Sequence, residues 1–231
     1  PAPFLCALLN AQPMGFYPPA VLVSDAQRHG VTVLPVDVLQ SGWESALQWA
    51  EAPASGGAPA LAVRLGLCTV RAMGEACAAG VRAGLASVER LGPFVSPQDF
   101  ARRCGLSRAP MENLARLGAL AGFEARRRHA LWEVATMARR VPGPLAEPLR
   151  PESAVRLPVQ SEAEIVSENL ALGGASVERH PLELLRARLD EAGVLTAAAL
   201  AGCAPAGCAR GEVAVAGLVI CRQRPGTATG V

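Results

Sequence analysis

The chain of 231 residues contains no lysine; all 22 of its basic residues are arginine. Any chemistry that needs a lysine, whether a P-loop clamp on a nucleotide phosphate or a Schiff base, is thereby excluded. Aspartate is scarce as well. The four present, Asp25, Asp37, Asp99 and Asp190, stand far apart, whereas two-metal phosphoryl-transfer sites hold their ions with clustered carboxylates. A complete site of that kind is not expected here. No apolar run approaches the roughly 18 to 20 residues of a membrane helix, and Pro1-Ala2-Pro3-Phe4 has no charged leader before its apolar run. A cytoplasmic globular protein with no membrane partner is expected, and the missing initiator methionine reads as a fragment. The seven cysteines (6, 68, 77, 104, 203, 208 and 221) form no C-x-x-C pair. An odd number at irregular spacing suits neither a disulfide framework nor a zinc site, so they read as small buried residues. Cys203 and Cys208 flank a turn, but no histidine neighbours them to complete a ligand set. His29, His129 and His180 are isolated, and no serine or cysteine has a base beside it in sequence. No catalytic residue, metal ligand or cofactor is assigned.

What the chain does have is hydrophobic residues, 51% of the total, enough for one large or two small domains with cores of their own. Its charge is unevenly placed. Residues 1–63 hold one arginine against four acids, residues 64–140 thirteen against six, and residues 141–231 eight against ten. The middle third is therefore basic while the net charge is only +2. Such a local excess is the footprint of a polyanion-binding segment, and equally of an arginine-rich solvated surface in a lysine-free protein.

Punctuation by proline and glycine divides the chain. A helix-like run covers Phe4 to Leu9, a loop Gln12 to Tyr17, and a second helix opens at Pro18 and Pro19 and stops at His29-Gly30. A strand is expected over Val31 to Leu34 and a short element over Trp43 to Ala50. Ala52 to Pro59 has linker composition. From Leu61 to about Arg140 the pattern reads as short helices broken by glycines. Residues 141–160 read as a proline-rich linker and a domain boundary. Ser161-Glu-Ala-Glu164 is a capping box opening a helix that stops at Gly173-Gly174. Pro181 opens another, with Leu182, Leu185 and Leu189 expected in a core. Glu212 to Cys221 reads as a strand, followed by a turn over Arg222 to Gly226.

Leu67 to Val81 matches a helix-hairpin-helix pattern, with Met73, Gly74, Ala78 and Val81 on its small and apolar positions. Such a hairpin needs small residues because its backbone N–H groups, at the start of the second helix, must approach a phosphate oxygen with no side chain between. Contacts of this kind hold the backbone without reading sequence. The first hairpin position, usually glycine, is Ala72, which tolerates positive φ poorly. Arg71 and Arg82 are expected to flank the turn, with Glu75 opening the helix. A looser copy spans Phe100 to Leu114: Gly105 ends one helix, Ser107 caps the next, Pro110 sits in its first turn, and Arg102, Arg103 and Arg108 cluster around. The candidate DNA-binding set is thus Arg71, Ala72, Met73, Gly74, Glu75, Arg82, Arg102, Arg103, Gly105, Ser107 and Arg108. An ordinary tight turn between core helices would use the same small residues. Arg126-Arg127-Arg128-His129 reads as a solvated basic face.

Over almost its whole length the chain resembles the bacterial DNA polymerase III alpha-subunit family, in its error-prone, damage-inducible branch. The resemblance is carried by Phe4-Leu-Cys-Ala-Leu-Leu-Asn-Ala-Gln-Pro-Met-Gly-Phe-Tyr17, His29 to Asp37, Leu65-Gly-Leu to Gly74-Glu75, Gly92-Pro-Phe94, Arg179-His-Pro-Leu182 and Ala216 to Ala228. It implies a mainly α chain: residues 1–60 the end of the polymerase fingers, 61–140 a tandem helix-hairpin-helix region, 161–204 a helical connector, and 205–231 the truncated start of an OB-fold. It further implies translesion synthesis and DNA repair by the full-length enzyme with Mg2+, on a palm whose aspartates match no residue here. Duplex product and template backbone, other translesion-synthesis proteins and the sliding clamp are the implied partners. The competing reading is a stand-alone, non-enzymatic helix-hairpin-helix module. The resemblance leaves open whether Gln12 to Tyr17 touches template, nucleotide or neither.

Overall fold

A computed structural model describes residues 1–15, 17–50, 59–137, 155–202 and 213–219. Helix α1 (Ala2–Asn10) buries Ala2, Leu5 and Leu9, one stripe at helical spacing. Helix α2 (Pro19–Arg28) starts behind Pro18 with proline in its first turn, buries Val23, and yields to Gly30 at φ +80°. Both run where the proline and glycine signals place them.

In the next segment the strand expected over Val31 to Leu34 is present at Val33–Leu34, whereas the helical expectation fails at Leu61. Strand β1 (Val33–Leu34) pairs in parallel with β3 (Leu61–Arg64), and β2 (Ala46–Trp49) pairs antiparallel on the other side of β3. Val63 is the centre of this register, opposite Val33 and Leu47. Leu61 to Arg64 therefore forms the middle strand of a three-stranded sheet and not the start of a helical run. A four-residue stretch carries no period of its own, so the partners on its two edges decide its state. The sheet also joins residues on both sides of position 60. The linker-like stretch between its strands lies mostly outside the described residues.

Helices follow: a 3-10 turn (Leu67–Thr69), α3 (Glu75–Ala86), α4 (Val88–Leu91), α5 (Pro97–Cys104), α6 (Arg108–Arg116) and α7 (Arg127–Met137). Val81, Phe100, Leu114 and Val134, one from each longer helix, are buried at 2% exposure or less. Phe94 meets Phe100 edge to face with ring centres 5.0 Å apart. Helices α3 and α5 come close because Gly80 and Gly84 present no side chain. A Cβ on Gly80 would stand 2.4 Å from the Cys104 carbonyl oxygen, and one on Gly84 2.4 Å from the Cys104 sulfur. Cys104 is buried, and its burial pushes its thiol up to about 11. Cys6, Cys68 and Cys77 are only half-buried, and the remaining three lie outside the described residues.

Helix α8 (Glu162–Gly173) opens with the expected capping box: Ser161 accepts from the Glu164 N–H while the Glu164 carboxylate accepts from the Ser161 N–H. The chain divides into two compact units, Pro1–Glu178 and Arg179–Val231, so α8 belongs to the first. The Gln27 side-chain amide donates to the Val177 carbonyl at 2.7 Å and ties that stretch down. The division thus falls inside the segment expected as a connector, and the proline-rich stretch expected over residues 141–160 is described only at 155–160. In the second unit a 3-10 turn (Pro181–Leu185), α9 (Arg186–Glu191) and α10 (Ala197–Gly202) are short. Leu182 and Leu189 are half-buried and Leu185 is 44% exposed. They are not the core leucines their spacing suggests, because the described part of this unit offers no second layer to cover them. Of the expected strand from Glu212, the described residues show a bridge between Val215 and Leu195. The turn over Arg222 to Gly226 lies outside them.

Candidate functional site

The first hairpin is a turn closed by the Met73 N–H donating to the Val70 carbonyl at 3.0 Å. Ala72 sits at the third position of that turn with φ +69°, the left-handed region that favours glycine there. It is the non-glycine residue with positive φ among those described, so the departure noted from sequence falls where the backbone is least suited to alanine. Gly74 then caps α3. A Cβ on Gly74 would meet nothing within 4 Å, so the space its missing side chain leaves is open to solvent. The N–H groups of Gly74, Glu75 and Ala76 lie too early in the helix to reach an acceptor within it, and they have no partner among the described residues. Glu75 offers its N–H while its carboxylate, in the first turn, opposes an incoming anion.

The second hairpin is the more complete of the two, with full helices on both sides. Gly105 ends α5 in the left-handed region, φ +62° and ψ 31°, and the Leu106 N–H returns to the Ala101 carbonyl at 2.9 Å. Ser107 occupies the N-cap position of α6, but the hydroxyl expected to cap the helix makes no capping bond. Its φ and ψ, −79° and 179°, equal those of Gly74. The two turns therefore deliver their helices with the same local geometry, as a tandem motif requires. Among the described residues the N–H groups of Ser107, Arg108 and Ala109 are likewise unpaired, and Pro110 has none to pair.

The arginines separate by environment. Arg71 is exposed with no ion pair among the described residues. Arg108 is 60% exposed beside Glu112 at 2.6 Å, and Arg102 is 77% exposed beside Asp99 at 2.8 Å. Such surface pairs are weak and easily exchanged. Three other candidates are placed elsewhere. The Met73 side chain is buried in the core and its N–H is used by the turn. Arg82 lies well inside α3, pairs with Glu44 at 3.2 Å and stands over the Trp43 ring, because seven residues of helix carry it about 10 Å from the hairpin. Arg103 is 6% exposed, bonded to Asp99, the Ser87 hydroxyl and the Gly92 carbonyl, with its guanidinium 4.3 Å from the centre of the Phe94 ring. Arg102 and Arg103 together hold the Asp99 carboxyl below the usual carboxylate range.

The run Arg126 to His129 is no simple solvated face. Arg126 chelates Glu124, whereas Arg127 reaches Asn169 and Glu178, and Arg128 reaches Glu164 and the Pro158 carbonyl. Two of the three fasten α7 to later chain. The described part of the loop Gln12 to Tyr17 is exposed beyond the half-buried Gln12 and bonds to itself, Gln12 donating to the Tyr17 carbonyl. Two contributors escaped sequence reasoning, Asn113 and the Gly80/Gly84 pair. The glycines had a visible signal, an i, i+4 repeat in a helix, while Asn113 had none.

A family model described as a helix-hairpin-helix motif matches residues 30–130. Along its full length the chain is 45% identical to the error-prone DNA polymerase of Methylococcus capsulatus, and 46% identical to those of Azoarcus sp. and Burkholderia mallei. It covers 22%, 21% and 20% of those proteins, so it spans about a fifth of the length of the curated relatives it matches.

Proposed function

Because this chain is related over its entire length to error-prone DNA polymerases, we propose that it is the duplex-holding part of such an enzyme, acting in translesion synthesis and DNA repair. One observation carries the reading. Helices α3 and α6 each begin at a small-residue hairpin with matching cap geometry and unpaired N–H groups, beside the exposed Arg71 and Arg108. A phosphate oxygen at such a terminus meets backbone donors and the positive end of the helix dipole together. Contacts of this kind carry no base information, which suits an enzyme that must move along any template.

In this reading residues 1–60 close the fingers, residues 61–140 are the tandem hairpin region, and residues 205–231 begin an OB-fold. The parent enzyme would transfer nucleotides with Mg2+ in the cytoplasm, alongside other translesion-synthesis proteins and the sliding clamp. No group of three His, Cys, Asp or Glu residues among those described could hold a metal ion. No catalytic step is assigned to these residues.

Fluorescence anisotropy of a labelled duplex titrated across salt concentrations tests the binding. Arg71→Ala and Arg108→Ala are each expected to lower the slope of log affinity against log salt by about one, the loss of one phosphate contact. An unchanged slope in both variants overturns the reading.

A further inference from the structure

Arg71 lies at the tip of the first hairpin, yet two other elements hold its backbone. Its N–H donates at 2.7 Å to the carbonyl of Leu172, one of the last-turn acceptors that α8 leaves unpaired. Its carbonyl accepts the side-chain Nδ2 of Asn113, on α6, at 2.7 Å. The next residue is Ala72 at φ +69°. A residue in that region keeps its conformation only where its surroundings over-determine it. The Cys77 thiol also approaches the Ala72 carbonyl, at 3.8 Å, but it belongs to α3 itself. Asn113 reaches across from the helix of the second hairpin, five residues beyond Arg108, or about 8 Å along α6.

We propose that Asn113 is a positioning residue that locks the first hairpin to the second, so that both present their free N–H groups to the DNA backbone as one rigid unit. The proposal rests on the duplex-binding reading above. Asn113 spends its amide on the Arg71 carbonyl, and its effect passes through the shape of the Ala72 turn. Where the usual glycine would take the left-handed conformation unaided, alanine here is held to it by the bond from α6.

The test measures duplex anisotropy across salt, thermal melting and amide exchange on the 231-residue chain. Asn113→Ala is expected to weaken binding about 3- to 10-fold and to lower the salt slope by about one, with melting within a few degrees of the parent. Asn113→Asp, which keeps the size but lacks the donor, is expected to do the same and serves if the alanine variant folds poorly. Amide exchange at residues 71–73 should quicken in both, with residues 105–108 unchanged. In an Ala72→Gly background, where the turn no longer needs the clamp, the Asn113→Ala effect should shrink to less than about two-fold. Equal losses in both backgrounds overturn the proposal, and so does unchanged binding by Asn113→Ala while Arg71→Ala and Arg108→Ala still weaken it. If neither arginine variant changes binding, the duplex reading fails and the proposal with it.

Discussion

Ala72 and Arg103 show how differently single residues announce themselves. A small residue before Met73-Gly74 marks a turn position that wants positive φ, and the backbone there has φ +69°. Relieving it is expected to stabilise the protein. The left-handed conformation costs alanine about 1–2 kcal/mol, and glycine gives back about 0.5–1 kcal/mol through its freer unfolded chain. Ala72→Gly should therefore raise the urea unfolding free energy by about 0.5–1 kcal/mol, and a loss of that size would show that the strain is absent. Arg103 carries no comparable mark. In sequence it is one of a basic pair beside a turn, while in the fold it is the buried partner of Asp99, Ser87, Gly92 and Phe94. Its neighbour Arg102, on the solvent side of the same helix, stays exposed.

Among the elements, those with explicit start and stop residues were legible. Helix α2 lies between Pro18 and Gly30, and α8 between its capping box and Gly174. Strand β3 was not legible, since Leu-Ala-Val-Arg is too short to show a period and takes its form from β1 and β2. The close crossing of α3 and α5 gives the element-scale prediction. Gly80→Ala sets a methyl 2.4 Å from the Cys104 carbonyl oxygen and 3.3 Å from its carbon, backbone atoms that cannot swing aside. Overpacking of this kind costs about 1–3 kcal/mol, and better helix propensity returns about 1 kcal/mol at most. A net loss of about 1 kcal/mol in denaturant titration is expected, with weaker duplex binding because α5 leads directly into the second hairpin at Gly105. A stabilised variant would show that the helices stand further apart.

For the whole molecule, the division after Glu178 matters more than the proline-rich stretch before α8. Both hairpins, the sheet, and the Asn113 and Leu172 contacts fall within Pro1–Glu178. A chain ending at Glu178 is therefore expected to melt cooperatively and to bind duplex within about two-fold of the 231-residue chain, as an autonomous unit should. Loss of binding on that truncation would assign part of the grip to the second unit. The arginine excess over residues 64–140 also looks different in the fold. Arg64, Arg103 and Arg127 are drawn into internal bonds, while Arg71, Arg102 and Arg108 remain on the surface.

The order of the helices, the two hairpin turns, the misfit at Ala72 and the resemblance to a polymerase are all properties of neighbouring residues. Each depends on local φ preferences, caps and short motifs, so the sequence by itself determined them. The strand at Leu61–Arg64, the bond from Arg103 to Ser87, the Arg82–Glu44 pair and the Asn113 clamp depend on partners 12 to 42 residues away. No local preference encodes such a pairing. It exists only once the hydrophobic core has closed and brought those segments together, and that is what the tertiary structure alone decided.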